Sequence, residues 1–473
     1  MDLRDYISKC EAEGQLMRVK AEVDWDLELS TLSKMNEEKG GPALLFEKVK
    51  GYTSPVLTCA FGNARRFGIC LGMPEEYSFC DMTREWMNLS VKEPIAAKQV
   101  ATGPVTENVV EGNNIDLLKM FPVPRFYLLD GGRYIGTTEF LCIKDPDDGK
   151  INLGTYRMQV LDNKSIGVNI TLGKKGDRIM NKYKKMGKKM PGAVVIGCDP
   201  LLMMTGASMY KAASDYDVAS SIRGSAIEYF NSDLTDLPLP ADAEIILEGE
   251  IDPTKLREEG PFGEYTGYYS EETDRPFPKP ALDVKRVMHR NNPILWASAA
   301  GRPITDAHML LAFTRTATLW TELVKMKIPG IKSVWCPPET CGRFWAIVSV
   351  QQKYPGHPDQ VLNAVCASNT ASYGVKGVIV VDEDISADDL ARVWWALSVR
   401  YMPHRGTTIL QRGRSTPWDP ALGQFTTITS RILMDATIPF EWKVKPKEVR
   451  LPDDVVEKVK SRWKEYGFDT HHT

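Results

Sequence analysis

The segment Glu259-Gly260-Pro261-Phe262-Gly263-Glu264-Tyr265-Thr266-Gly267-Tyr268-Tyr269 holds two carboxylates five residues apart on a backbone too rich in Gly and Pro for helix or regular strand. A constrained turn of this kind can aim both acids at one spot. Burial and mutual repulsion then separate their protonation, leaving one ionised and the other able to carry a proton. About a hundred residues upstream, Asn152-Leu153-Gly154-Thr155-Tyr156-Arg157-Met158-Gln159 supplies a cation. Arg157, set between Tyr156 and Met158, can hold either a carboxylate side chain or a carboxylate substrate. The two segments together point to acid/base chemistry on an acid, whereas each residue taken singly reads as a solvated loop carboxylate or a surface arginine.

A third cluster, Ser214-Asp215-Tyr216-Asp217 followed by Ser220-Ser221-Ile222-Arg223-Gly224, carries oxygen donors suited to a hard divalent cation such as Mg²⁺ or Mn²⁺. The competing reading is a helix cap at Ser214 or Asp215. Met203, Met204, Met209 and Tyr210 are either pocket lining or core filling.

Other chemistries lack their signatures. The chain has no GxxxxGK[ST] loop, no GxGxxG after a strand, no G-x-S-x-G and no HExxH, and its six histidines are dispersed apart from a terminal pair. The nine cysteines are scattered without a metal-binding spacing, which predicts reduced thiols and a cytoplasmic setting. With 59 basic and 62 acidic side chains, the net charge of −3 gives nucleic acid no electrostatic purchase. No run of apolar residues reaches the roughly 18 needed to span a membrane, and no signal-peptide core is present.

These segments need a scaffold, and 473 residues with 43% hydrophobic content predict about three domains. Apolar spacing predicts a helix over 2–14, then strands at Leu16–Val23 and Ala43–Lys48. These form a small α/β domain over 1–105. Short β-rich runs follow at Thr137–Ile143, Gly167–Leu172, Ala193–Gly197, Ala243–Ile251, Ala281–His289 and Pro293–Ala299, predicting an antiparallel barrel or sandwich over 106–305. Within it, the lysine-rich stretch Lys174–Lys189 reads as an amphipathic helix with Ile179, Tyr183, Met186 and Met190 inward. The alternative is a phosphate or acidic-partner site, RNA included. A long helix over 306–326 leads to a last α/β domain over 327–473. There, Gly377–Asp384 reads as a buried strand, Asp389 as a cap, and Leu390, Val393, Trp394 and Leu397 as one helix face.

In this order the motifs resemble the UbiD-type decarboxylase family, which works with prenylated flavin mononucleotide. The likeness runs through Asn152–Gln159, Ser214–Gly224, the AEIILEG strand from Ala243 to Gly249, Glu259–Tyr269, Gly301-Arg302-Pro303 and Val381–Asp384, into the helix of Trp394 to Arg400. The fold it implies is a multidomain α+β and α/β assembly: an N-terminal α/β unit, a split β-barrel that binds flavin, a linker helix and a C-terminal α/β oligomerisation domain. Arg157, Glu259 and Glu264 fall on the family's catalytic network. Asn152, Thr155, Tyr156, Arg157, Gln159, Asn169, Lys174 and Asp215 fall on cofactor positions. Asn152, Asn169 and Asp215 fall on ligands of a divalent metal (Mn²⁺ or Mg²⁺), with a monovalent cation (K⁺ or Na⁺) beside it. Asp215 and Asn169 depart from the family pattern, standing where many relatives have Glu and His or Arg.

The activity implied is reversible, non-oxidative decarboxylation of an aromatic or heteroaromatic acid, a small hydroxybenzoate-like acid being favoured, through a covalent adduct with prenylated FMN. Departure of CO₂ from an sp² carbon leaves charge that side chains cannot delocalise, so a cofactor must supply the electron sink. Glu264 would return the proton, and Arg157 would orient the substrate carboxylate and keep Glu259 ionised. The implied partners are the acid and CO₂, a flavin prenyltransferase as cofactor supplier, and further copies of the chain in a dimer or hexamer. The alternatives are a carboxylase subunit acting on a phosphorylated phenol or an unsubstituted or polycyclic arene, and a binding protein using the lysine-rich helix.

Overall fold

The computed structural model describes residues 1–90, 94–208, 214–269, 274–422 and 426–468. It divides into two compact units, Met1–Thr437 and Ile438–Thr473.

The first helix, Leu3–Ala12, starts at an Asp2 capping box and turns Leu3, Tyr6, Ile7 and Cys10 inward, the face that the apolar spacing predicts. Its following strand Leu16–Val23 pairs in parallel with Ala43–Val49, which pairs antiparallel with Val56–Thr58. The sheet does not end there. Leu295–Trp296, beyond the predicted boundary near 105, adds a fourth strand beside Val56 and Leu57. One continuous hydrophobic core therefore runs from Leu3 through the middle segment to Phe313.

The middle segment forms a nine-stranded sheet whose path is open at both ends and whose pairs are all antiparallel. Its central strands, Ile245–Glu259 and Phe277–His289, are longer than their hydrophobic runs suggest. Pairing carries Ile245–Glu259 past the apolar stretch and delivers Glu259 at its very end. By contrast, Gly167–Leu172 is strand only through Val168, and Pro293–Ala299 only at Leu295–Trp296. The lysine-rich helix is also shorter, Lys175–Lys185. Met190 opens the next strand instead of belonging to that helix, and Met186 is exposed, so Ile179 carries the inward face with Tyr183 half-buried against the core.

The helix Asp306–Lys325 does more than link. Met309, Leu310 and Phe313 pack into the first core while Ala312, Leu319 and Leu323 pack into the second, so one helix locks the two together. The second core lies on a five-stranded sheet with Gly377–Asp382 at its centre, parallel to Trp345–Val350 on one side and Ile428–Asp435 on the other. Asp389 caps the helix Leu390–Val399 as expected, but Trp394 points outward at 68% exposure. Val393 and Ala396 make the buried stripe, and the adjacent Trp395 takes the packed position under Arg400. The last domain, expected to extend to residue 473, has a sheet that ends at Asp435. The chain from Ile438 forms a unit of its own around the helix Asp453–Ser461, with Trp463 and Phe468 stacked at 4.5 Å.

Candidate active site

Arg157 brings the two acids of the turn together. It lies just before the strand Met158–Asp162, one pairing position from the end of the hairpin with Ser165–Val168. Its Nε and Nη2 donate to the Glu259 carboxylate at 2.9 and 2.8 Å, a bidentate fork, while Nη1 donates to Glu264. The side chains are 6% (Arg157), 0% (Glu259) and 8% (Glu264) exposed, so the network is out of bulk water. Desolvation works against the guanidinium charge, but the two carboxylates outweigh it and raise its pKa. Burial raises the Glu264 carboxyl above its ordinary range; Arg157 pulls it back, and the Glu259 carboxylate pushes it further up. A two-armed cation thus holds one carboxylate in a fork and leaves its neighbour inclined to keep a proton.

Backbone contacts fix the turn. Gly260 adopts φ +96°, a region that L side chains avoid, and its N–H donates to Gln159 Oε1 at 2.7 Å. Pro261 O accepts from Gly131 N at 2.8 Å and from the Tyr134 hydroxyl at 2.9 Å. Asp130 accepts from Gly263 N at 2.9 Å and from the Tyr269 hydroxyl at 2.8 Å. Gln159, which the resemblance put among the cofactor contacts, is thus buried in the service of the turn. Phe262 seals the underside, against Tyr134 at 4.6 Å and under the Arg157 guanidinium at 5.1 Å.

The turn also tolerates nothing larger than hydrogen at Gly131, where an added Cβ would stand 1.9 Å from Gly260 O. Gly131→Ala should therefore displace the turn, costing about 1–3 kcal/mol of stability. Turnover should fall by on the order of 10²-fold as the acids leave their positions. Thermal unfolding and steady-state rates check this, and an alanine variant with unchanged melting and turnover would refute the packing argument.

The dispersed histidines carry no motif, yet His308 anchors this turn. Its Nδ1 accepts from Thr305 N (3.1 Å) and Thr305 Oγ1 (2.8 Å), so Nε2 carries the proton and donates to Tyr265 O at 2.5 Å. Burial lowers its pKa to about 4, which keeps the ring neutral. Nothing in its sequence spacing announces this, since the contact forms only when the helix start meets the turn.

Beside the network lies a cavity of about 230 Å³, lined by Phe61, Met203, Ala207, Phe262 and Leu310 together with Thr155, Arg157 and Glu264. Two further acids face it, Glu139 and Asp306. Burial pushes Glu139 up to about 8, while Asp306 is raised by burial to about 6 and accepts from the backbone N–H groups of Ala60 and Phe61, both at 2.8 Å. Sequence reasoning did not single out Glu139, although a lone charge in the strand run Thr137–Ile143 was a signal that could have found it. Of the sulfur-bearing candidates, Met203 lines the cavity and Met204 is buried beside Cys70; Met209 and Tyr210 lie outside the described residues.

Thr155, Tyr156, Ala207 and Leu311 are shared with a second, polar cavity of about 680 Å³. Asn152, Lys174, Lys175, Arg178, Arg315, Arg343 and Arg414 stand in its wall. The Asn152 side chain is buried with Nδ2 unpartnered, and the buried Nε atoms of Arg315 and Arg343 lack acceptors. Such a wall fits the phosphate of a flavin whose ring occupies the apolar cavity. It does not fit a divalent metal: among the described lining residues there is no carboxylate. Asn169 and Asp215 are both buried and neither is in that wall. Asn169 N donates to Arg157 O at 3.2 Å. Asp215 is the first residue of the helix Asp215–Arg223, which Ser214 caps through Asp217 N at 3.1 Å, and it acts on the thiol of Cys142. The cap reading therefore holds for Ser214.

All nine cysteines are free, and among the described residues no helix is long and apolar enough to cross a membrane.

Three family models match the chain in succession. They are the N-terminal domain of 3-octaprenyl-4-hydroxybenzoate carboxy-lyase over residues 7–86, its Rift-related domain over 98–303 and its C-terminal domain over 308–436. The chain belongs to the UbiD family of carboxy-lyases. An uncharacterized protein of Archaeoglobus fulgidus is 34% identical, with 98% of each chain covered. Among solved structures, the UbiD-class enzyme HmfF of Pelotomaculum thermopropionicum in complex with FMN matches with a TM-score of 0.87 and 29% identity, over 98% of this chain and 100% of that one. The vanillic acid decarboxylase of Sedimentibacter hydroxybenzoicus matches with a TM-score of 0.88 and 29% identity over 98% of each chain.

Proposed function

We propose that this protein is a decarboxylase of a small aromatic or heteroaromatic acid, working reversibly with prenylated FMN. The observation that carries the reading is the buried Arg157–Glu259–Glu264 network facing an apolar cavity that shares Thr155, Tyr156, Ala207 and Leu311 with a cationic one. Asn152, Thr155, Tyr156 and Lys174 are the residues that would hold the flavin, and that group, when bound, supplies the electron sink. The chain's own side chains do the rest. Arg157 orients the substrate carboxylate and holds Glu259 in a bidentate fork. Glu264 keeps a proton because burial disfavours its charge, and delivers it to the carbon that has lost CO₂. Phe262, Leu310 and Met203 exclude water from that carbon.

The likeness to vanillic acid decarboxylase supports a small ring acid over a lipid-tailed one. A flavin prenyltransferase as supplier, assembly into a homo-oligomer and a cytoplasmic site of action complete the proposal. Protein co-produced with a flavin prenyltransferase should release a cofactor with the mass and spectrum of prenylated FMN, and should liberate CO₂ from an aromatic-acid panel. Release of no flavin from such protein would refute the reading.

The rate should depend on pH through Glu264. Its acid form is the working form and its pKa is raised, so the proton supply is full on the acid side and drains as pH climbs through that pKa. The kcat profile of loaded enzyme should therefore fall on its alkaline side, above the ordinary carboxylate range. A rate that rises throughout that range would contradict the assignment of Glu264 as the acid.

A further inference from the structure

Resting on the flavin reading above, the polar cavity departs from what the family resemblance implies about the phosphate. Its cations come from three places far apart in the chain: Lys174, Lys175 and Arg178 around the start of one helix, Arg315 in the long shared helix, and Arg343 and Arg414 from the C-terminal sheet region. Three of them surround the ring of Tyr373, with Lys174 Nζ at 4.6 Å and the guanidinium carbons of Arg343 and Arg414 each at 5.2 Å. Burial, and then the charges of Arg343, Arg315 and Arg414, depress the Lys174 ammonium to about 8. Like charges crowd here without an acid among the described lining residues to offset them. Asp177 lies in the same helix as Lys175 and Arg178, but its two oxygens accept from Gly173 N at 2.8 Å and Asn181 Nδ2 at 3.1 Å. The stretch 209–213, outside the described residues, reads Met-Tyr-Lys-Ala-Ala and contains no acid either.

A divalent cation brought into this wall would add charge to a cluster that already repels itself, with only neutral oxygens such as those of Asn152, Thr155 and Thr171 to hold it. A phosphate dianion does the opposite: it relieves the repulsion among the ammonium and guanidinium groups of the wall. We propose that this chain binds the phosphate end of its flavin through these ammonium and guanidinium groups, Lys174, Arg343 and Arg414 foremost, and without a divalent metal ion. The Lys and Arg groups stand in for the metal as counter-charge.

The test is a fluorescence titration of flavin-free full-length protein with FMN, with EDTA or with added Mn²⁺, in parallel with metal analysis of the purified holoprotein. The dissociation constant should agree within about twofold between the two conditions, and the holoprotein should hold less than about 0.1 metal per chain. It should rise at least tenfold in Lys174→Ala and in the Arg343→Gln/Arg414→Gln double variant, and stay within about twofold in Asp215→Asn, each variant melting as the wild type does. An EDTA-induced weakening of tenfold or more, stoichiometric bound metal, or loss of FMN affinity in Asp215→Asn would overturn the proposal. Because the EDTA and Mn²⁺ titrations use wild-type protein, they decide the matter even if a variant fails to fold. Absence of FMN binding under every condition would instead remove the flavin reading, and this inference with it.

Discussion

Replacing Glu264 by Gln is expected to reduce turnover by about 10²–10⁴-fold, the range for loss of a positioned general acid, in protein that still retains its flavin. Glutamine keeps the size and a hydrogen-bonding oxygen for Arg157, so the turn should stay where Asp130, Gln159 and His308 hold it. Only the transferable proton is lost. The same variant should lose solvent hydrogen/deuterium exchange at the reacting carbon of the product. Full exchange in the presence of normal flavin content would show that the proton comes from elsewhere, Glu139 and Asp306 being the other acids on that cavity.

Arg157→Met should have the largest effect on the fold of any single change at the site. It leaves Glu259 and Glu264 buried beside each other with their shared cation gone, and breaking a buried ion pair in this way costs about 3–5 kcal/mol. Lysine should not restore activity, because one ammonium cannot donate in a fork to Glu259 and also reach Glu264 as the guanidinium does. Urea unfolding of the metal-free and flavin-free protein measures the loss. Unchanged stability of Arg157→Met would show that the two acids are not held by this residue.

What was legible in the sequence divides along a physical line. The turn at Glu259–Tyr269 could be read because Gly and Pro exclude regular structure there whatever surrounds them. The first helix and the strand Gly377–Asp382 could be read because local apolar spacing decides them. The cationic cavity could not: Arg315, Arg343 and Arg414 each look like ordinary surface charges, and only the packing of three distant segments around Tyr373 makes them a group. His308 was invisible for the same reason, its role residing in a carbonyl 43 positions away. Trp394 misled in the other direction. Leu390, Val393, Trp394 and Leu397 share a helical face by spacing, and Val393 is buried with Leu390 and Leu397 packed beside it, but Ala396 and Trp395 take the inward place expected of Trp394. The length of Ile245–Glu259 was set by its partner strand, so its polar end, where Glu259 sits, gave no apolar signal.

The central claim is that Arg157, Glu259 and Glu264 meet over the ring of a bound flavin. A crystal structure of the flavin-loaded protein tests it most directly. The expected result is an isoalloxazine ring in the cavity between Phe61, Met203 and Leu310, with the Arg157 guanidinium and the Glu264 carboxyl within van der Waals reach of the space above it and the phosphate beside Lys174 and Arg343. A ring bound outside that cavity, or a loaded protein in which Arg157 has parted from both acids, would contradict it.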